Sequence, residues 1–172
     1  REMDLLAHRM LSLISRYLGY PPSIFEELAH EGNSVLRALH YPDVDERSSA
    51  GKVRAAAHED INLLTLLPVA TRPGLELLNR HGDWISVESP PNAIICDTGD
   101  MMSLLTGGEM PATTHRVVNP EGEGDGGRLS LPFFMHPHPH ARLTPLNASS
   151  THPLYNDDLT AHEFLCRRLV DN

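Results

Sequence analysis

The sequence predicts a mainly β protein of the jelly-roll or sandwich class, with helices at both ends. In the middle of the chain, short apolar runs are separated by Gly, Pro, Asn or Asp, which is the pattern of many short strands. The first and last segments instead carry apolar residues at helical spacing. The 172 residues suffice for one compact domain with a sizeable core.

The N-terminal segment is predicted to form two helices. Residues 3–18 carry apolar residues at helical spacing, and Pro21-Pro22 ends this helix. Ser23 followed three residues later by Glu26 has the pattern of a capping box, which predicts a short second helix. Gly32-Asn33 is expected to end that second helix.

The central and C-terminal segments are then predicted in order. Residues 101–106 are expected to form a short helical turn, and residues 159–170 a last helix capped by Asp157 and Asp158. Seven runs bounded by turn residues are predicted as strands: 35–41, 61–69, 75–78, 84–87, 93–96, 115–118 and 128–135.

Composition excludes several functional classes. The net charge of -9 argues against broad binding to nucleic acids or anionic membranes, which require a positive surface. No apolar run is long enough to span a bilayer. Cys96 and Cys166 form no metal or redox motif, so we expect two small buried residues and a reducing cytoplasm. Because the chain begins at Arg1 within a helical pattern, we expect an upstream part to be missing.

Two histidines and one aspartate suggest a metal site. His58 and Asp60 are two residues apart, so on a strand both side chains would point to one side and Glu59 to the other. With His115 they form a set of two imidazoles and a carboxylate, which leaves coordination positions open and is typical of non-heme Fe(II) oxygenases. The chain has 11 histidines, however, so the His58–Asp60 pair alone is equally consistent with an ordinary surface strand.

A candidate anion clamp follows the second histidine. Arg128 and Ser130 share one face of a predicted strand because they too are two residues apart. The strand continues with apolar residues 131–134, and an arginine in a core strand requires a partner such as a carboxylate held by two hydrogen bonds. By itself this pattern also fits a solvated arginine. His136, His138 and His140 alternate with prolines and are predicted to be structural.

Taken together, these segments resemble the isopenicillin N synthase-like branch of the Fe(II)/2-oxoglutarate-dependent dioxygenases. The resemblance covers residues 35–140 and implies a double-stranded β-helix, which is a distorted jelly roll. The matching segments follow the family's order and are residues 39–42, 57–60, 63–67, 74–77, 82–87, 98–101, 114–120 and 128–134.

The resemblance implies roles for six residues. His58, Asp60 and His115 would bind the iron. Arg128 and Ser130 would hold the distal carboxylate of 2-oxoglutarate, assisted by the Tyr41 hydroxyl, although a strand aromatic packing in the core is the competing interpretation of Tyr41. The resemblance also divides the chain into three parts: a helical lead-in at 1–32 left from a larger N-terminal region, a catalytic core at 33–146, and a tail with a helix at 147–172.

The implied activity is oxidation of a small organic substrate, by hydroxylation or desaturation, with Fe(II), 2-oxoglutarate and O2 as cofactor and co-substrates and with release of succinate and CO2. One alternative is an oxidase of the isopenicillin N synthase type, in which Arg128 and Ser130 bind a substrate carboxylate without 2-oxoglutarate. A second is a non-catalytic jelly-roll module that binds a metal or a small acid. A third is a zinc hydrolase with Glu59 as its base. Many plant relatives carry asparagine where this chain has Leu39, so one co-substrate contact is expected to differ.

Overall fold

The computed structural model describes residues 1–43, 53–119, 127–147 and 158–171. Its helices are α1 (Glu2–Tyr17), α2 (Ile24–Ala29), α3 (Asp100–Leu105) and α4 (Ala161–Asp171). Its strands are β1 (Val35–Leu36), β2 (Leu39–Tyr41), β3 (Ala55–His58), β4 (Leu64–Pro68), β5 (Leu75–Leu78), β6 (Trp84–Ser86), β7 (Ile94–Thr98), β8 (His115–Val117), β9 (Arg128–Ser130) and β10 (Phe133–Met135).

The strands form three antiparallel sheets. One four-stranded sheet has the order β1-β10-β4-β7, the other has the order β3-β8-β5-β6, and β2 pairs with β9 in a separate two-stranded sheet. Packed antiparallel sheets built from strands that are distant in sequence are typical of a jelly roll. The predicted fold class, mainly β with flanking helices, is therefore confirmed.

Two predicted strands are each divided into two. The run 35–41 forms β1 and β2, and the run 128–135 forms β9 and β10, with the halves placed in different sheets. Pro132 separates β9 from β10 because it has no N–H to continue a ladder. Its carbonyl accepts the backbone N–H of Arg37 at 3.0 Å. Both divided runs therefore pass from one sheet to another at neighbouring positions, which this hydrogen bond connects.

The helix caps differ from those predicted. The Ser23 hydroxyl donates to Glu27 at 2.7 Å, so Glu26 takes no part in a capping box. At α4 a capping box does form, because the backbone N–H of Thr160 donates to Glu163 at 2.9 Å and the Glu163 N–H donates back to the Thr160 hydroxyl at 3.2 Å. Asp158 pairs with Arg142 instead of capping the helix, and Asp157 lies outside the described residues.

One apolar cluster joins the helices to the first sheet. Fully buried members of this cluster come from α1, α2, the segment before β4, β4 itself, α3, β10 and α4: Ala7, Leu11, Phe25, Leu63, Leu64, Met102, Met135 and Phe164. Burying a side chain such as Phe164 contributes about 1.5–3 kcal/mol, which fixes the last helix against the roll.

Cys96 and Cys166 are exposed free thiols, so the prediction that they are buried was wrong. No helix in the described ranges is long and apolar enough to cross a bilayer.

Candidate active site

The three predicted metal ligands lie together. β3 ends at His58 and β8 begins at His115, and the two residues are direct partners across this antiparallel pair. Their imidazole rings are 4.4 Å apart between centres. The Oδ1 atom of Asp60 lies 3.9 Å from the Nε2 atom of each histidine. One ligand atom from each residue falls within 4.8 Å of the others, so the three side chains could hold one metal ion.

The reason for this convergence differs from the prediction. Asp60 lies beyond the end of β3, so the alternation of side chains along a strand does not place it beside His58. Tertiary hydrogen bonds hold it there instead: its carbonyl accepts the backbone N–H of Asp100 at 2.8 Å, and its Oδ2 accepts the Thr65 hydroxyl. The Asn62 amide in turn donates to the Thr65 hydroxyl oxygen at 2.9 Å. Asp60 is therefore held both at its backbone and at its carboxylate, and it is largely buried.

Hydrogen bonds also orient both imidazoles. The Nδ1 atom of His58 is 2.8 Å from the carbonyl oxygen of Ala56, and that of His115 is 3.0 Å from the carbonyl oxygen of Thr113. Because a carbonyl oxygen can only accept, each Nδ1 donates to it, and in the neutral ring the Nε2 atom then presents its lone pair. This is the arrangement that metal-binding histidines adopt. Two neutral imidazoles and one carboxylate are chemically suited to Fe(II).

A carboxyl group on β7 lies beside His115. The Oδ2 atom of Asp97 is 3.6 Å from Nδ1 of His115, which is longer than a hydrogen bond. Burial raises the pKa of the Asp97 carboxyl, and a hydrogen bond from Thr113 opposes this rise. The proton on Nδ1 is therefore held by the Thr113 carbonyl, with Asp97 contributing only longer-range attraction.

An inner cavity of about 210 Å³ adjoins the three residues and is also lined by Tyr41, Arg128 and Ser130. Arg128 and Ser130 are buried whereas Leu129 is 53% exposed, so the prediction that the two share one face is confirmed. The Nε atom of Arg128 donates to the carbonyl of Arg72 at 3.1 Å.

The electrostatics of the inner cavity favour an anion. Burial lowers the pKa of Arg128, the neighbouring Tyr41 opposes this shift, and the cation of Arg54 adds to it. Among the described residues, no carboxylate forms an ion pair with Arg128. A buried guanidinium that lacks an anionic partner is energetically costly, so a ligand carboxylate would relieve this cost.

A second, outer cavity of about 620 Å³ shares His58 and Asp60 with the inner one. Most of its other lining residues are apolar, among them Val35, Ile61, Phe134, Leu165 and Leu169. His136 also lines it, although the sequence predicted only a structural role for this residue. Burial lowers the pKa of His136, which favours its neutral form. The candidate ligands thus stand between a cationic inner space and a larger, mainly apolar outer space.

Two further residues near the site were given no role in it from the sequence, which suggested only a turn position for Asp100 after Gly99. Asp100 is 5% exposed and begins α3, and its carboxylate accepts the Nε hydrogen of Arg168 at 2.9 Å. An aspartate in the first turn of a helix is a local signal, but it indicates only a favourable helix start. Arg168 is 68 positions away along the chain, so no sequence spacing relates the two.

Comparisons with known proteins agree with this geometry. Residues 32–137 match the model of the 2OG-Fe(II) oxygenase superfamily. A 2-oxoglutarate-dependent dioxygenase of Didymella fabae is 39% identical over 135 residues, which are 76% of this chain and 40% of that protein. Gibberellin 2-beta-dioxygenase 4 of Arabidopsis thaliana is 32% identical over 155 residues, which cover 83% of this chain and 47% of that protein. The chain thus spans less than half the length of both relatives.

Solved structures show the same fold. A protein of Caulobacter crescentus, described as a 2OG-Fe(II) oxygenase family member, has a TM-score of 0.88 and 38% identity, covering 99% of this chain and 56% of that one. A full-length protein of Neurospora crassa, solved in complex with alpha-KG, has a TM-score of 0.87 and 26% identity, covering 98% of this chain and 54% of that one. The predicted double-stranded β-helix is confirmed, and the chain belongs to the 2OG-Fe(II) oxygenase superfamily.

Proposed function

We propose that this chain is the catalytic part of an Fe(II)- and 2-oxoglutarate-dependent oxygenase. It would hydroxylate or desaturate a small organic substrate, with release of succinate and CO2. The observation that carries the proposal is the position of His58, Asp60 and His115, which meet where the two cavities join. The segments that resemble the isopenicillin N synthase-like branch support placement in that branch. A cytoplasmic location stays a prediction.

In this proposal His58, Asp60 and His115 are the iron ligands. Their contacts support the role, because both Nε2 lone pairs and a carboxylate oxygen point to one space and their other polar atoms are already bonded within the chain. Bound Fe(II) with 2-oxoglutarate would supply O2-dependent oxidative decarboxylation coupled to oxidation of a substrate C–H bond. The protein's own part is to hold the three ligand side chains in place.

Arg128, Ser130 and Tyr41 are the proposed binding residues for the distal carboxylate of 2-oxoglutarate. The guanidinium supplies a fixed fork of donors, and the buried Ser130 hydroxyl can donate one more hydrogen bond. Relatives support this choice of co-substrate: the Neurospora crassa protein was solved with alpha-KG, and JOX2 with 2OG, Fe and JA. The outer cavity is the proposed substrate space, because it reaches two of the three ligands from the apolar side.

The test is oxygen-dependent formation of succinate from 2-oxoglutarate in the presence of Fe(II). We expect His58→Ala to lower this rate by roughly 100-fold, since even residues that only support a metal ligand are often worth 10- to 100-fold. The matched control is His81→Ala, because His81 is exposed in the turn before β6 and should leave the rate unchanged. Full turnover by His58→Ala would refute the assignment.

Omission of 2-oxoglutarate separates the proposal from its nearest rival. An oxidase of the isopenicillin N synthase type would use Arg128 for a substrate carboxylate and would consume O2 without 2-oxoglutarate. A binding module without chemistry would bind 2-oxoglutarate but release no succinate. We expect succinate formation to require Fe(II), O2 and 2-oxoglutarate together.

A further inference from the structure

The C-terminal helix reaches the candidate metal centre through one arginine. The Nε atom of Arg168 donates to Oδ2 of Asp100 at 2.9 Å, and its Nη2 atom lies 3.9 Å from Oε2 of Glu59. The Arg168 side chain is 20% exposed and that of Asp100 only 6%, so their ion pair is largely shielded from water. A pair in such a setting is screened much less than one on an open surface.

Both partners of Arg168 are directly connected to the segment that carries the ligands. Glu59 stands between His58 and Asp60 in the chain, and its Oε1 accepts the hydroxyl hydrogen of Thr114. The backbone N–H of Asp100 donates to the carbonyl of Asp60 at 2.8 Å. The guanidinium of Arg168 therefore hydrogen-bonds the Asp100 carboxylate and attracts the Glu59 carboxylate over a longer distance. Both carboxylates belong to residues that are attached to the 58–60 segment, Glu59 by its peptide bonds and Asp100 by its hydrogen bond to Asp60.

Glu59 also links the two strands that bring the histidines together. Thr114 immediately precedes His115 at the start of β8, whereas Glu59 immediately follows His58 at the end of β3. The hydrogen bond between Thr114 and Glu59 thus closes the end of this strand pair beside the ligands. This use of the Glu59 carboxylate is structural, which argues against the general-base role considered for a zinc hydrolase.

The helix that carries Arg168 is itself held firmly. Phe164 is fully buried in the main apolar cluster, and the capping box of Thr160 and Glu163 closes the first turn. Leu165 and Leu169 line the outer cavity from the same helix. The arginine therefore extends from a fixed support toward the ligand segment.

We propose that Arg168 is a positioning residue for the metal centre, an inference that rests on the proposed function. It holds Glu59 and Asp100 so that the 58–60 segment keeps the three ligand atoms convergent. Removing the guanidinium leaves two carboxylates facing the space that it occupied, and their mutual repulsion would move that segment. The expected consequence is weaker metal binding, in addition to any loss of turnover.

The test measures binding of Co(II), a visible-absorbing substitute for Fe(II), by the metal-free chain. We expect Arg168→Met to weaken Co(II) binding by about tenfold or more and to change its absorption bands. Arg168→Lys should restore part of the affinity, because an ammonium can pair with one of the carboxylates but lacks the planar fork. Arg167→Met is the matched control, since it removes a neighbouring exposed cation from the same helix and should leave Co(II) binding unchanged.

A second variant guards against simple misfolding of Arg168→Met. Glu59→Gln keeps the pair between Arg168 and Asp100 and should weaken Co(II) binding by a few-fold. Combined with Arg168→Met it should add little, because both changes break the same connection. Hydrogen exchange of the metal-free chain should be faster at residues 59–61 in Arg168→Met than in the control.

Two outcomes overturn different statements. Co(II) binding by Arg168→Met that equals that of the unmodified chain, while His58→Ala binds poorly, would overturn the positioning role alone. Unchanged Co(II) binding by His58→Ala would overturn the metal centre of the proposed function, and with it the purpose assigned to Arg168.

Discussion

Tyr41 lies directly opposite Arg128 across the β2–β9 pair, and the guanidinium carbon of Arg128 is 5.4 Å from the centre of the Tyr41 ring. Directly opposite residues of an antiparallel pair have neighbouring side chains, which explains the contact. The ring can therefore support the arginine through a cation–π interaction, and both residues line the inner cavity. Tyr41 packs against Arg128 and is not part of the main apolar core, so the core-packing interpretation does not hold, and its role in co-substrate binding stays a prediction.

Substitutions at Tyr41 separate these two contributions. Tyr41→Phe removes only the hydroxyl. We expect it to raise the KM for 2-oxoglutarate about fivefold, because the loss of one hydrogen bond costs about 1 kcal/mol. Tyr41→Leu also removes the aromatic ring and should raise the KM further, since a cation–π contact contributes about 0.5–2 kcal/mol. Steady-state kinetics at saturating substrate measure both. An unchanged KM for 2-oxoglutarate in Tyr41→Phe would show that the hydroxyl does not contribute to co-substrate binding and that only the ring can do so.

Thr65 is expected to control how Asp60 is presented. Its hydroxyl donates to the Asp60 carboxylate and accepts from Asn62, all within buried surroundings. Thr65→Val keeps the shape but removes the donor, so we expect metal affinity to fall about tenfold, as for other groups that orient metal ligands. Thr65→Ser keeps the hydroxyl and serves as the control. Titration with Co(II) compares the three chains, and equal affinities would show that Asp60 needs no such support.

Gly99 is expected to be required by the turn that carries Asp60. A Cβ atom at this position would lie 2.6 Å from the carbonyl oxygen of Asp60 and 2.5 Å from that of Asn62. Both are backbone atoms, so Gly99→Ala must displace the turn, and we expect it to destabilise the fold by roughly 1–3 kcal/mol and to weaken Co(II) binding.

The control for this prediction is Gly19→Ala. Gly19 has a φ of +76° with open space around it, so alanine there adds backbone strain without a clash. It should lower the urea midpoint and leave Co(II) binding intact. If Gly99→Ala likewise lowered stability without weakening Co(II) binding, the conformation of this turn would not be required for metal binding.

The capping box of α4 predicts a pH dependence of stability. Hydrogen bonds from the backbone N–H and the hydroxyl of Thr160 lower the pKa of Glu163 below its usual value of 4.5. Ionised Glu163 therefore stabilises the fold above about pH 4.5, and this contribution is lost as the pH falls through the lowered pKa. Urea unfolding should show Glu163→Gln less stable than the unmodified chain at pH 7, with the difference shrinking as the pH is lowered through the depressed pKa of Glu163.

A pH-independent difference in that experiment would contradict the role of the Glu163 charge. Glu109→Gln is the control, because Glu109 is an exposed glutamate outside the helix and its substitution should change stability little at either pH. Unfolding should be followed on the metal-free chain, so that the loss of metal in acid does not enter the comparison.

The sequence by itself determined the features that depend on neighbouring residues. Its periodicities predicted α1 and α4 and the shared buried face of Arg128 and Ser130, because side-chain direction repeats with the local backbone. The types and order of His58, Asp60 and His115 also suggested these residues as candidate iron ligands. The boundaries proposed at residues 32 and 146 stay a prediction.

Only the tertiary structure decided how those residues meet. Asp60 faces the histidines because of bonds from Thr65 and Asp100, and not because of strand alternation. The division of the run 128–135, the outer cavity and the reach of Arg168 to Glu59 likewise depend on which distant segments pair. Such contacts arise from the register of the strands and the packing of the whole roll. The spacing of residues along the chain does not determine either of these.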